Sequence, residues 1–260
     1  MTRIKTVLIL FSISTILAFS ISKDVHINTE ATTLKRDSTA VQKYYALNKG
    51  NNQPSKSIGT TGNGTLKNAK LIPFSGKNFE YFDSGSYLMG RAYTNDMVLR
   101  TVLATYQDLD SAMPNRKFYI MEASKQFGGK LWPHRTHQNG LSIDFMMPML
   151  KDNKPYYGFT KLGVQHYQLH FNDNGTSEDD ESIKIDFNTI ARHILLLNRQ
   201  AKKQRMQVSK VIIKIEYKPY LFATEYGKLL KKSGIYVVQS LTPAVNQLHD
   251  EHFHIDFSPL

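Results

Sequence analysis

The chain contains no cysteine. That excludes disulfide cross-links, thiolate metal ligands and lipid attachment at a thiol. A domain of this length can bury enough core to stand without them. Internal repeats are absent too, which rules out solenoid and propeller architectures. Long apolar runs are scarce. The longest lies at the N terminus and is interrupted by Ser12, Ser14 and Thr15, so it is short for a membrane span. Acidic residues are outnumbered, 22 against 33 basic ones, giving a formal net charge of +11. Such an excess favours an anionic partner. No nucleic-acid motif accompanies the basic residues, and groups such as Lys202-Lys203-Gln204-Arg205 and Lys228 through Lys232 read as solvated helix faces.

Residues 1–20 have the layout of a secretory signal: Arg3 and Lys5 first, then an apolar core, then Ala18-Phe19-Ser20 as small residues for cleavage. Export to the periplasm, with no membrane span retained after cleavage, is the expectation, and it argues against nucleic acid as a partner. Residues 21–55 are polar and lack hydrophobic periodicity, which predicts a flexible spacer. From residue 56 the texture becomes that of a folded domain extending to residue 260.

The densest chemistry sits in two short windows. The first runs Pro133-His134-Arg135-Thr136-His137-Gln138-Asn139-Gly140-Leu141-Ser142-Ile143-Asp144-Phe145. Leu141, Ile143 and Phe145 alternate with Ser142 and Asp144, as in a strand with one apolar face. Gly140 permits a turn before that strand, so His137 can swing back beside Asp144. An imidazole next to a carboxylate supplies two ligands of a zinc site, and a third must come from elsewhere. The second window, His249-Asp250-Glu251-His252-Phe253-His254-Ile255-Asp256-Phe257, also alternates. His252 and His254 then share a face at about 7 Å, too wide for an ideal bidentate clamp. The spacing suits a division of labour in which His254 binds the metal and His252 faces the water.

Elsewhere the pattern predicts helices over Asp96 to Met113, Asn188 to Lys203 and Tyr220 to Lys232, the last stopping near Gly234. Strands are expected at Phe118 to Met121 and Val211 to Ile215, and short irregular strands between Ser57 and Pro73. Trp132 reads equally well as a wall of the cleft or as a core residue. Lys151 to Asp186 is a polar insertion whose acidic stretch, 172–182, reads as a mobile surface loop without calcium-loop spacing. The whole is an α+β domain, with helices packed on a central antiparallel sheet.

The two windows resemble the HxxHQxGLxxD and HxxHxH signatures of the penicillin-insensitive murein endopeptidases. These belong to a wider group of lysostaphin-type, D-Ala-D-Ala and hedgehog-like zinc domains built on a small antiparallel sheet. The resemblance covers most of residues 56–260, with its specific motifs confined to the two windows. It implies one zinc ion held by His137, Asp144 and His254, with His252 as general base or transition-state stabiliser. His134 and His249 would line the cleft. It also implies peptidoglycan as the partner and a peptide crosslink, D,D or L,D, as the bond cut. The chain departs from the pattern in lacking cysteines, in its Leu131-Trp132-Pro133 approach and in its acidic insertion. Two imidazoles and one carboxylate leave zinc an open position, where a water ionises near pH 7. Two alternatives remain open: a D-Ala-D-Ala carboxypeptidase using Arg135 or Lys130 for the free carboxylate, and a wall-binding protein that keeps the zinc without catalysis.

Overall fold

The computed structural model describes residues 38–260. The signal sequence expected over 1–20 and the spacer as far as residue 37 lie outside the described residues. Within the stretch read as spacer, residues 38–48 form a helix, α1. Val41 is buried there, and Tyr44 and Tyr45 pack beside it against the core. Spacings of three and four residues put these side chains on one helical face.

A hairpin of β1 (Lys56–Thr60) and β2 (Asn63–Lys67) comes next, followed by β3 (Lys70–Leu71), β4 (Phe79–Tyr81), α2 (Ser84–Leu88) and β5 (Tyr93–Thr94). The long helix α3 (Asp96–Ala112) leads to β6 (Phe118–Ile120), β7 (Ser142–Met146), β8 (Met149–Lys151) and β9 (Lys154–Tyr156). A 3-10 helix (Gly163–Gln168) and β10 (Ile183–Ile185) precede α4 (Phe187–Lys203) and β11 (Met206–Ile212). The chain continues through α5 (Lys218–Ala223), α6 (Glu225–Lys232), α7 (Pro243–Gln247) and β12 (His252–Pro259). Helices and sheets together make an α+β fold. No helix among the described residues is long and apolar enough to cross a membrane.

The central sheet has the order β11-β12-β7-β6-β4. It is antiparallel from β11 to β6, but β4 joins β6 in parallel, so the sheet is mixed rather than wholly antiparallel. The excursion through α2, β5 and α3 between these two strands is long enough to return the chain in the same direction. Strands β7 and β12 occupy the middle, with His254 opposite Asp144 and Phe253 opposite Phe145. Alternation sends Ile143, Phe145, Phe253, Ile255 and Phe257 into the hydrophobic core and leaves the polar residues on the other face.

Helix α3 starts where Asn95 caps it, its side chain accepting from the Met97 amide at 2.9 Å. Helix α4 is capped by Asp186 and buries Ile190, Ala191, Ile194 and Leu197 against α3 and β11. The helix expected over Tyr220 to Lys232 is two helices. Thr224 breaks it by adopting an extended conformation and capping α6 through Gly227. The strand expected over Val211 to Ile215 begins earlier, at Met206, and ends at Ile212.

The polar insertion contains β9 and β10, while 172–182 runs between them as turns and isolated bridges, largely at the surface. Strand β8 pairs with both β9 and β10. Within the acidic stretch the Asn172 side chain accepts from the Thr176 amide at 3.0 Å, Lys151 holds Asp180 at 2.8 Å, and Thr176 and Ser177 are buried. Side-chain turns and ion pairs to other segments give this polar stretch a defined path that hydrophobic periodicity does not report.

His193, on the buried side of α4, lies among the rings of Phe145, Tyr106, Phe118 and Phe253 at 4.8 to 5.7 Å. Burial pushes its pKa from 6.5 down to about 3, and its Nε2 has no hydrogen-bond partner. The folded chain therefore holds His193 neutral, while the unfolded chain takes up a proton below pH 6.5. Its contribution to stability is fully present above pH 6.5 and is lost as the pH falls toward 3, with a slope of up to roughly 1.4 kcal/mol per pH unit. Urea denaturation at stepped pH should show His193→Phe flattening this acid limb, whatever constant offset the new ring adds. An unchanged slope would mean that other groups carry it.

Candidate metal centre

The polar face of the β7–β12 pair supplies the centre of the site. Asp144 is fully buried, and its backbone is fixed on the β6 side by the Glu122 carbonyl and the Met121 amide at 2.9 and 2.8 Å. His137 reaches it from the loop before β7, with Nε2 3.2 Å from Asp144 Oδ2. The backbone at His137 is left-handed, with φ 66°, and Gly140 follows at φ 78°. A Cβ on Gly140 would meet Leu66 Cδ2 at 2.7 Å and the Asn95 amide at 2.9 Å, so only glycine lets this loop close onto the start of α3.

Each imidazole has one nitrogen committed and one turned inward. His137 Nδ1–H donates to the Ala123 carbonyl at 2.6 Å, which leaves Nε2 for a ligand. His254 Nε2–H donates to Asp256 Oδ1 at 2.7 Å, and its Nδ1 lies 2.7 Å from Asp144 Oδ1. Asp256 is itself held by Ser142 Oγ at 2.6 Å and Lys210 Nζ at 2.8 Å. His134 Nδ1 stands 3.5 Å from Asp144 Oδ2, while its Nε2 is held by Glu122 at 2.5 Å. The Glu122 carboxylate is in turn clamped by the Arg91 guanidinium and accepts from Ser86 Oγ at 3.0 Å.

His252 Nδ1 is bonded to Glu251 Oε1 at 2.6 Å, which turns Nε2 towards Asp144 Oδ2, 4.0 Å away. His249 lies behind it, ring centroids 4.9 Å apart, with Nδ1–H donating to the Val245 carbonyl at 2.6 Å. Trp132 is 84% exposed and is not a core residue. Its carbonyl accepts from Arg91 Nη2 at 2.9 Å, which ties this exposed loop to the site.

The charges are strongly coupled. Burial acts to raise the Asp144 carboxyl, but His137 and His254 hold it well below the usual carboxylate range. Burial lowers His137 and outweighs the neighbouring carboxylate. Burial also opposes charge on His252, yet Glu251 and Asp144 push it up to about 9, and Asp256 and Asp144 push His254 up to about 10. Glu122 goes down to about 2, because His134 and Arg91 together overcome its burial.

Two of the buried atoms, His137 Nε2 and Asp144 Oδ2, have no hydrogen-bond partner although they face each other. Orphaned polar atoms of this kind, one imidazole nitrogen and one carboxylate oxygen, are what a divalent cation would satisfy. His134, His137 and Asp144 offer ligand atoms all within 4.8 Å of one another. His254 adjoins this group on the other oxygen of Asp144. The residues picked from sequence thus converge, with His134 nearer to the carboxylate than a lining role needs. Sequence reasoning did not find Arg91 or Glu122, which come from separate segments. Asp256 was legible in principle, two residues beyond His254 on the same strand face.

Addition of zinc to metal-free protein should raise the thermal midpoint, by the equivalent of about 2.7 kcal/mol when free metal is a hundredfold above its dissociation constant. In Asp144→Asn the shift should vanish. A full shift in that variant, followed by scanning calorimetry, would locate the metal elsewhere.

No curated protein matches the chain. A family model described as penicillin-insensitive murein endopeptidase matches residues 57–258, which takes in both histidine windows and the central sheet except for the last residue of β12. The chain therefore belongs to the penicillin-insensitive murein endopeptidase family, peptidases that act on peptidoglycan.

Proposed function

We propose that this chain is a zinc-dependent endopeptidase that hydrolyses peptide crosslinks of murein in the cell envelope. The observation that carries the metal part of the reading is the facing pair of buried, orphaned atoms, His137 Nε2 and Asp144 Oδ2. His137 through Nε2, Asp144, and His254 through Nδ1 would hold the ion. The Ala123 carbonyl and Asp256 keep the opposite nitrogens protonated and so select those ligand atoms. Zinc held there would supply Lewis acidity to the scissile carbonyl, and its positive charge would oppose protonation of His252, leaving that imidazole free to act as a base.

The remaining chemistry belongs to the side chains. Glu251 fixes the His252 ring, so Nε2 is the nitrogen that takes a proton from the attacking water and returns it to the departing amine. His134, braced by Glu122 and Arg91, lines the cleft beside Asp144 Oδ2. The net positive charge favours approach to an anionic sacculus. Action on murein requires export, and the basic-then-apolar layout of residues 1–20 is suited to direct it.

Incubation of the purified protein with isolated sacculi, read by mass spectrometry of released muropeptides, tests the reading. Crosslinked dimers should fall to monomers, and the new termini would identify a D,D or an L,D bond. A chelator should abolish the activity, and His252→Ala should lower kcat by at least a hundredfold, the usual scale for a lost general base. Shortened stems with intact crosslinks would instead make the enzyme a carboxypeptidase. Binding without any product would leave a wall-binding protein.

A further inference from the structure

The insertion between β8 and β10 takes no part in the chemistry described so far, yet it covers one side of the site. Its 3-10 helix packs closely at its start and is hydrogen-bonded near its end. Gly163, at φ 55°, lies so close to Asp83 that an added Cβ would come within 2.4 Å of the carboxylate, and His166 Nε2 lies 3.3 Å from the Glu251 carbonyl. These contacts aim Tyr167 inward. Its ring stands edge-on to His252, centroids 5.8 Å apart, and edge-on to Phe82 at the same distance. The Tyr167 hydroxyl is buried and has no hydrogen-bond partner. Burial first, then the carboxylates of Glu122, Asp144 and Glu251, hold this phenol protonated well above the usual tyrosine range. It is therefore a permanent donor beside the charged groups of the site, and nothing among the described residues accepts its hydrogen.

We propose that Tyr167 donates its phenolic hydrogen bond to the carbonyl oxygen of the crosslink as that oxygen becomes negative. The proposal rests on the endopeptidase reading and adds a residue to it. In the hydrolysis a water oxygen bonds to the amide carbon and the C–N bond breaks. The products are a carboxylic acid and an amine, and the proton lost by the water ends on the amine. Tyr167 keeps its own proton throughout and takes part only by hydrogen bonding. An orphaned hydroxyl in the free chain costs desolvation, and a donor that finds its acceptor only as charge develops favours the transition state over the ground state.

Tyr167→Phe keeps the ring against His252 and removes only the hydroxyl. On a soluble crosslinked muropeptide dimer, the full-length variant should lose on the order of a hundredfold in kcat with KM nearly unchanged, the scale of one oxyanion donor. Its thermal midpoint should equal or exceed that of the wild type, because no protein hydrogen bond is lost. Its zinc content should be unchanged. An equal kcat in variant and wild type would overturn the proposal, as would a rise in KM alone, which would make the hydroxyl a ground-state contact. Loss of zinc in the variant would make Tyr167 part of the metal site and also overturn it. If the wild type released no monomers, the endopeptidase reading would fail on its own, before the variant was compared.

Discussion

The pairing of β7 with β12 is the constraint on which the site depends. Antiparallel register sets Asp144 directly across from His254 and, two residues along, Ser142 across from Asp256. On the opposite face the same register stacks Phe145 on Phe253, ring centroids 5.5 Å apart. A slip of one residue would turn the carboxylate and the imidazoles into the core and expose the aromatic rings. The hydrophobic pattern that holds the sheet together is thus also what aligns the polar atoms, and packing and chemistry cannot be varied separately along these strands.

Around that pair the protein spends polar groups on orientation. Every imidazole near Asp144 has a nitrogen assigned to a partner of its own: Ala123 for His137, Asp256 for His254, Glu122 for His134 and Glu251 for His252. In a buried setting such assignments decide which nitrogen remains for a ligand or a proton, because an imidazole left to rotate would find another acceptor. The supporting residues are anchored in turn, Asp256 by Lys210 and Ser142, and Glu122 by Arg91 and Ser86.

Much of this was readable from residue order and some was not. The two windows carry strand alternation and tightly spaced histidines, so Asp144, His252 and His254 could be placed on strands and His137 just before the turn that leads to Asp144, while the pairing of the two strands was not read. The long helices α3 and α4 were legible because their apolar stripes and caps are local. The break at Thr224 was not, since a threonine can cap one helix or sit inside another and tertiary packing decides. The short strands of the polar insertion were missed for a related reason: they are held by pairings with β8, which leave no periodic trace. Arg91, Glu122 and Tyr167 reach the site from three separate segments, and no spacing links them to the histidines.

The bond between His254 and Asp144 joins residues 110 positions apart in the chain. No partly folded form that lacks either central strand can assemble the cluster, and an extended chain holds none of it. Local helices can form and dissolve without bringing these atoms together. Whatever reaction the cluster performs therefore waits for the sheet to close. For a protein of a family that acts on peptidoglycan, topology alone confines reactivity to the finished molecule.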